Sequence, residues 1–284
     1  MKYCDLHNHS VYSDGTYTPD ELVKYACKKG ISAIGLTDHN TTDGMEEFME
    51  SARQQGVECV FGSELTTDYS GKEVHLLCLF ITPENAHRVR LFTSEQLKNK
   101  RESNEKLTRA LLKRGYDVSF EKLKAQYGDN INRAHFARAL VDKGYVESTD
   151  VAFDTILKSG NGFYDPPKRE GLISAIKLVR SWGCVPVIAH PLLSVTKEEL
   201  ERLMPKAIRN GLAGLEVYYP KFNDEQRGYL MSLCQRYNLV ASGGSDFHGT
   251  MKSEGDLNDA KAPYECYERL LNAYKKIDEG EYNE

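Results

Sequence analysis

The run Ile31 to Thr37 (ISAIGLT) is short, apolar and β-branched, which is the pattern of a strand buried on both faces. It follows a segment with every mark of a helix start: Thr18 as N-cap, Pro19 in the first helical position and Glu21 to close a capping box, with Gly30 ending the helix. A second helix, about Asp43 to Gln55, and a strand, Val57 to Phe61, repeat the unit. His75 to Ile81 (HLLCLFI) predicts another buried strand, with His75 at its start. This βαβ rhythm places the chain in the α/β class.

From about Pro83 to Pro167 the strand pattern stops. The helical period runs through Leu107, Leu111 and Leu112 to Gly115, then Phe120 to Tyr127, Asn132 to Lys143 and Asp150 to Lys158. The expected organisation is therefore a barrel-sized α/β domain from 1–82 and 168–284, interrupted by a helical insertion, 83–167, folded as a small cap. After Arg169 the rhythm resumes. A helix to Gly183 leads to the strand Val185 to Ala189 and His190-Pro191, and a helix from Thr196 to about Asn210 leads to Leu212 to Tyr218. Another helix, Asp224 to Tyr237, leads to Leu239 to Ser242 and the loop Gly243 to His248. A last helix, Pro263 to about Glu279, turns Leu270, Leu271 and Tyr274 to a packing face.

Composition adds three constraints. The net charge of −5 excludes a protein coated throughout for nucleic acid. Within it, 14 of the 37 basic and 7 of the 42 acidic residues fall in 86–145, a local +7 that leaves −12 for the remainder. An acidic barrel with a basic insertion suits metal cations in the one and an anionic substrate beside them; a lysine-rich solvated surface accounts for part of the same excess. The seven scattered cysteines, without a C-x-x-C pair, read as reduced thiols of a cytoplasmic protein. No stretch approaches the ~20 apolar residues of a membrane span, and nothing in the sequence indicates an oligomeric state.

The chemistry starts at Asp5-Leu6-His7-Asn8-His9-Ser10. Side chains alternate along an extended strand, so His7 and His9 face the same way and supply half of a metal site. In β/α barrels functional side chains gather where strands end. That rule can collect His7, His9, Asp14, His39, Glu64, His75, His190, Asp246 and His248 into one pocket. Six of the eight histidines fall at strand ends or in Gly-flanked loops, a distribution that chance explains poorly. His87 stands apart as a bystander. Imidazole and carboxylate donors together fit Mn²⁺, Zn²⁺ or Fe²⁺ better than Mg²⁺. Asp38 either orients a ligand or water from behind, or faces solvent. Tyr218, Tyr219 and Phe247 either stack on a base or pack internally. Arg133 and His135 do not share a helix face, but they can converge on a ligand from a first turn capped by Asn130 or Asn132; Arg138 and Lys143 are weaker anion-binding candidates.

The motifs HNHSVYSDGTYTP, GLTDHNT, GSE, AHP and GGSDFHG together resemble the signature of the PHP (polymerase and histidinol phosphatase) metal-dependent phosphoesterases, nearly end to end. The basic insertion and NRAHFARALVDKGYV resemble the subgroup of nucleotide phosphatases and 5′-to-3′ exoribonucleases acting on short RNA. The resemblance implies a distorted (β/α)7 barrel with three divalent metal ions at its rim. It puts His7, His9, Glu64 and Asp246 on one metal, Asp14, His39 and His248 on a second, and Glu64 with His75 and His190 on a third. Asp14, His39, Glu64, His190, Asp246 and His248 thereby also become the catalytic set, and Arg133 and His135 bind the substrate phosphate. The implied reaction is hydrolysis of a nucleotide or short-RNA phosphate ester by hydroxide formed between the metals. Histidinol-phosphate phosphatase and a non-catalytic, metal-stabilised binding module are the alternatives.

Overall fold

A computed structural model describes residues 2–128, 131–249 and 255–279. The chain divides into two compact units, Met1–Thr93 with Glu170–Glu284, and Ser94–Arg169. In chain order the elements are β1 (Tyr3–Asp5), α1 (Pro19–Lys28), β2 (Ala33–Leu36), α2 (Met45–Gln55), β3 (Glu58–Tyr69), β4 (Lys72–Leu79), α3 (Ala86–Lys113), α4 (Phe120–Tyr127), α5 (Arg133–Asp142) and α6 (Thr149–Asp154). They continue with β5 (Glu170–Gly171), α7 (Leu172–Ser181), β6 (Val185–Ile188), α8 (Pro191–Ser194), α9 (Lys197–Arg209), β7 (Gly214–Tyr218), α10 (Asp224–Tyr237), β8 (Val240–Gly243), β9 (Ala262–Pro263) and α11 (Glu265–Asp278).

The first unit is α/β, built on a sheet in the order β8-β7-β6-β4-β3-β2-β1-β9, with β5 beside β3. Beyond the last residue of β1, Leu6 N–H donates to the Gly243 carbonyl at 3.1 Å and His9 N–H to the Phe247 carbonyl at 2.9 Å. These bonds bring β1 back to the end of β8, so the sheet is a nearly closed barrel. Period-two alternation divides its side chains between two cores. Ala33, Val60, Leu77, Leu79, Val185 and Val187 point inward with Leu6 and meet Cys266, Tyr267 and Leu270 of α11. Ile34, Leu36, Phe61, Leu76, Cys78 and Ile188 point outward beneath the surrounding helices. Helix starts follow the capping chemistry: Thr18, Thr196 and Asn223 each form a full capping box.

One part of the strand pattern is corrected. The expected strand from Val57 to Phe61 continues to Tyr69, and the one expected from His75 begins at Lys72, because the two form a hairpin. Its two-residue turn is Ser70-Gly71, with φ of 55° and 80°, the positive φ pair that matches the twist of a tight hairpin. β4 is therefore antiparallel to both β3 and β6 in an otherwise mainly parallel sheet. Glu64 and His75 lie inside strands and not at their ends. Thr66 pairs with His75, so Glu64, two residues earlier, shares its face.

The second unit is helical and closes its own core. Leu107 and Leu111 of α3 pack with Phe120 and Leu123 of α4, Phe136 and Leu140 of α5, and Ile156, Leu157 and Tyr164 beyond α6. Leu112, expected on the same face, is exposed. The last helix of the unit ends at Asp154, short of the expected Lys158.

Backbone contact at the barrel wall is tight where β2 crosses behind Leu6. A Cβ on Gly35 would lie 2.4 Å from the Leu6 carbonyl oxygen and 2.7 Å from its Cα. The Gly35→Ala protein is expected to lose about 1–3 kcal/mol of stability, read as a lower urea midpoint with an unchanged slope.

Candidate metal centre

The H-x-H pair lies just past β1, where the backbone stays extended because both sides of it are hydrogen-bonded. Thr37 N–H donates to the Asn8 carbonyl at 2.9 Å on one side, and Asp246 N–H donates to the His7 carbonyl at 2.9 Å on the other. Gly244 lies directly against this segment: a Cβ there would stand 2.4 Å from the His7 Cβ. So held, the two rings converge, with their Nε2 atoms 3.3 Å apart.

Around them the fold assembles all nine predicted ligand candidates. Glu64 is completely buried, and its two oxygens are flanked by five imidazoles. Oε2 lies 3.3 Å from His7 Nε2, 3.3 Å from His9 Nε2 and 3.0 Å from His39 Nδ1. Oε1 lies 2.8 Å from His75 Nδ1 and 3.0 Å from His190 Nε2. Asp246 Oδ1 approaches His9 Nε2 at 3.0 Å, and Asp14 Oδ1 approaches His248 Nε2 at 3.2 Å. Three overlapping groups have donor atoms within 4.8 Å of one another: His7, His9, Glu64 and Asp246; His9, Asp14, His39 and His248; and His39, Glu64 and His75. Relative to the expected sets, His9 joins the second group, and His39 stands in the third where His190 was expected. His190 keeps its contact with Glu64.

The electrostatics of the cluster call for positive charge. Burial opposes ionisation of Glu64, but His39, His75 and His7 outweigh it and hold the carboxyl well below its usual range; Asp14 and Asp246 are likewise held down against burial by neighbouring imidazoles. Burial also opposes protonation of the imidazoles. Carboxylates nevertheless raise His7, and push His9 to about 9 and His75 to about 10, while burial takes His39 down to about 3. Despite the short approaches, Glu64 Oε2 and His75 Nδ1 have no hydrogen-bond partner among the described residues. Buried lone pairs that crowd together without bonding one another fit divalent cations, and the imidazole and carboxylate donors are of the kind such ions take.

A supporting layer orients these groups. Asp38 is buried, which settles its two readings against solvent: it accepts from Ser10 N–H at 2.7 Å, Ser10 Oγ at 2.6 Å and Ser13 Oγ at 2.5 Å. Ser13 Oγ in turn lies 3.4 Å from His9 Nδ1. Burial raises the Asp38 pKa. Tyr219, also buried, donates its hydroxyl to Asp246 Oδ2 at 3.0 Å, and Phe247 packs on Tyr17 and Tyr25. Internal packing is thus the role of both rings. Glu216, which the motif reading passed over, is buried with Oε1 3.1 Å from His7 Nδ1. The signal was legible, since it is the single acid in the apolar strand LAGLEVY.

The remaining candidates have surroundings of their own. His87 is exposed on α3. In the helical unit, Arg133 and His135 occupy the first turn of α5, capped by Asn132; Asn130 lies outside the described residues. His135 Nδ1 accepts from Asn132 N–H at 3.1 Å as part of the capping box, and its ring packs on Tyr127. The Arg133 guanidinium lies over Tyr164, 4.7 Å from the ring centroid. Arg138 and Lys143 are paired with Asp142 and Asp117.

Since cations bind the folded site and not the unfolded chain, Mn²⁺ added to chelator-stripped protein is expected to raise the melting temperature. The stabilisation is about 2.7 kcal/mol at a hundredfold excess over Kd. Calorimetry checks this, and His9→Ala is expected to abolish most of the shift.

The PHP domain family model matches residues 5–164. A 5′-3′ exoribonuclease of Haemophilus influenzae is 32% identical over 251 residues, 87% of this chain and 90% of that protein. A 3′,5′-nucleoside bisphosphate phosphatase of Chromobacterium violaceum is 30% identical, over 90% of this chain and 91% of its own. Among solved structures, a protein of Bifidobacterium adolescentis assigned as a metal-dependent phosphoesterase superposes with a TM-score of 0.80 at 28% identity, covering 96% of each chain. With the family's motifs converging on one buried cluster and its relatives matched along nearly their whole length, the chain belongs to the PHP domain family and is a metal-dependent phosphoesterase.

Proposed function

We propose that the protein hydrolyses phosphate esters of nucleotides or short 5′-phosphorylated RNA, such as a nucleoside 3′,5′-bisphosphate, with three divalent ions of Mn, Zn or Fe. The observation that carries this reading is Glu64, whose two oxygens are shared among five imidazoles. One set would be His7, His9, Glu64 and Asp246; a second Asp14, His39 and His248, with His9 at its edge; a third Glu64, His75 and His190. Divalent ions, when bound, supply Lewis acidity: they lower the pKa of water and neutralise phosphate oxygens.

The chain's own residues present and hold the donors. Tyr219 engages Asp246 Oδ2 and leaves Oδ1 toward His7 and His9. Asp38 ties Ser10 and Ser13 together behind His9. Arg133 and His135 bind the substrate phosphate in this reading, and the segment 83–167 acts as the cap that selects the substrate. Three things support a nucleotide substrate. The insertion carries a local +7 over 86–145, guanidinium groups pair well with phosphate, and the relatives above are named for nucleotide and RNA hydrolysis. A further relative, from Eggerthella lenta and 27% identical, is a phosphoribosyl 1,2-cyclic phosphate 1,2-diphosphodiesterase. The site reads as cytoplasmic: all seven cysteines are free thiols, and no described helix is long and apolar enough to cross a membrane.

Purified protein with Mn²⁺ is expected to release phosphate from nucleoside 3′,5′-bisphosphates or mononucleotides from short 5′-phosphorylated RNA. Inactivity on both, in protein shown to hold metal, overturns the reading. Losing a charge-assisted phosphate contact removes about 1.5–3 kcal/mol, so Arg133→Ala is expected to lower kcat/KM about ten- to a hundredfold. Metal content, measured by elemental analysis, should be unchanged.

A further inference from the structure

Glu216 is the third residue of β7, paired with Ser242 of β8 immediately before an irregularity in the register between Glu216 and Tyr218. Bulges of this kind re-aim side chains beside functional sites. Here the chain turns a fully buried carboxyl group toward the back of the metal centre. Its two oxygens do different work. Oε1 lies 3.1 Å from His7 Nδ1, and Oε2 accepts from the backbone N–H of His190 at 2.7 Å.

Each contact acts on a ring that faces Glu64. An imidazole that donates Nδ1–H to a carboxylate keeps its lone pair on Nε2, and His7 Nε2 is the atom 3.3 Å from Glu64 Oε2. His190 poses a different problem. Its backbone stands at φ 24° and ψ 55°, a left-handed conformation that a residue bearing a Cβ rarely adopts and that the following Pro191 also disfavours. Its Nδ1 has no hydrogen-bond partner among the described residues, so the ring is oriented by packing against His7, His75 and Tyr219 and by the peptide that carries it. Glu216 Oε2 holds that peptide. With that constraint His190 Nε2 lies 3.0 Å from Glu64 Oε1. The rings of His7 and His190 run nearly parallel, 5.6 Å apart and 21° from coplanar.

We propose that Glu216 is a positioning residue of the metal centre: one buried carboxylate fixes the tautomer of His7 and the strained peptide of His190, so that both rings present Nε2 to the two oxygens of Glu64. The proposal rests on the reading of His7 and His190 as metal ligands. Among Glu216, Asp38 and Tyr219, Glu216 is the one whose carboxylate oxygens contact both His7 and His190.

Glu216→Gln tests it with little change of shape. The amide offers one acceptor where two N–H groups need one each, so either His7 or His190 loses its restraint. Mn²⁺ titrated into chelator-stripped protein is expected to bind the variant about 10–100-fold more weakly than the wild type, and the visible absorption of the Co²⁺-loaded variant is expected to shift. Wild-type Mn²⁺ affinity with an unaltered Co²⁺ spectrum overturns the proposal. So does a variant that loses apo-protein melting temperature but keeps that spectrum, which is the signature of a purely structural role. Wild-type protein gives an independent readout should the variant fail to fold. In Zn²⁺-loaded protein with ¹⁵N-labelled histidine, the His7 signal, assigned by its loss in His7→Asn, is expected to show the proton on Nδ1; a proton on Nε2 overturns the proposal. A wild type that takes up no metal brings down the ligand reading and this proposal together, whereas a wild type that loads normally beside an unaffected variant brings down this proposal alone.

Discussion

A carboxylate sealed from water among imidazoles is the constraint on which the barrel rim depends. Removing an ion from water costs several kcal/mol even after the protein relaxes, and Glu64 is completely buried. Five histidines from four segments of the chain come to within 2.8–3.3 Å of it. The cluster is a crowd of imidazole and carboxylate donors held in place by the sheet, the kind of donors that divalent ions take. Where a cation binds such a cluster in the folded state, metal binding and stability are coupled.

The sheet meets this constraint by an exception to its own rule. Parallel strands joined by helices deliver His39, His190 and Asp246 near their ends, as barrels generally do. The β3–β4 hairpin instead runs through the rim and presents Glu64 and His75 side by side from strand interiors. Closure is completed by hydrogen bonds from Leu6 and His9 to the segment after β8, which needs glycine at 244 for the backbones to come close enough. Two of the candidate ligands also carry unusual backbone: His190 and Asp246 both have positive φ. Such conformations persist only where surrounding bonds over-determine them, and Glu216 on His190 is one of those bonds.

The helical unit has a different economy. Its core is built largely from leucines and aromatic rings, and several of its surface charges are paired with near neighbours, as in Arg138 with Asp142 and Lys143 with Asp117. Arg133 rests over Phe153 and Tyr164, much as Arg114 rests over Phe163, and such stacking orders the planar guanidinium.

Local periodicity, read from the amino acids alone, determined the α/β class, the helix starts at Thr18, Thr196 and Asp224, the interruption by a helical segment and the shared face of His7 and His9. Each depends on residues a few positions apart, whose relation the backbone geometry fixes. The motifs also marked the nine candidate ligands as chemistry in search of one place. Tertiary structure alone decided the rest: that β3 and β4 form a hairpin through the rim, that His9 and His39 each stand in two donor groups, that Asp38 is buried behind His9, and that Glu216 joins His7 to His190. These relations connect residues far apart in the chain, as between His7 and Glu216, 209 positions apart. No local period encodes them; they exist because a twisted sheet closing on itself brings distant strand ends to within a hydrogen bond of one another.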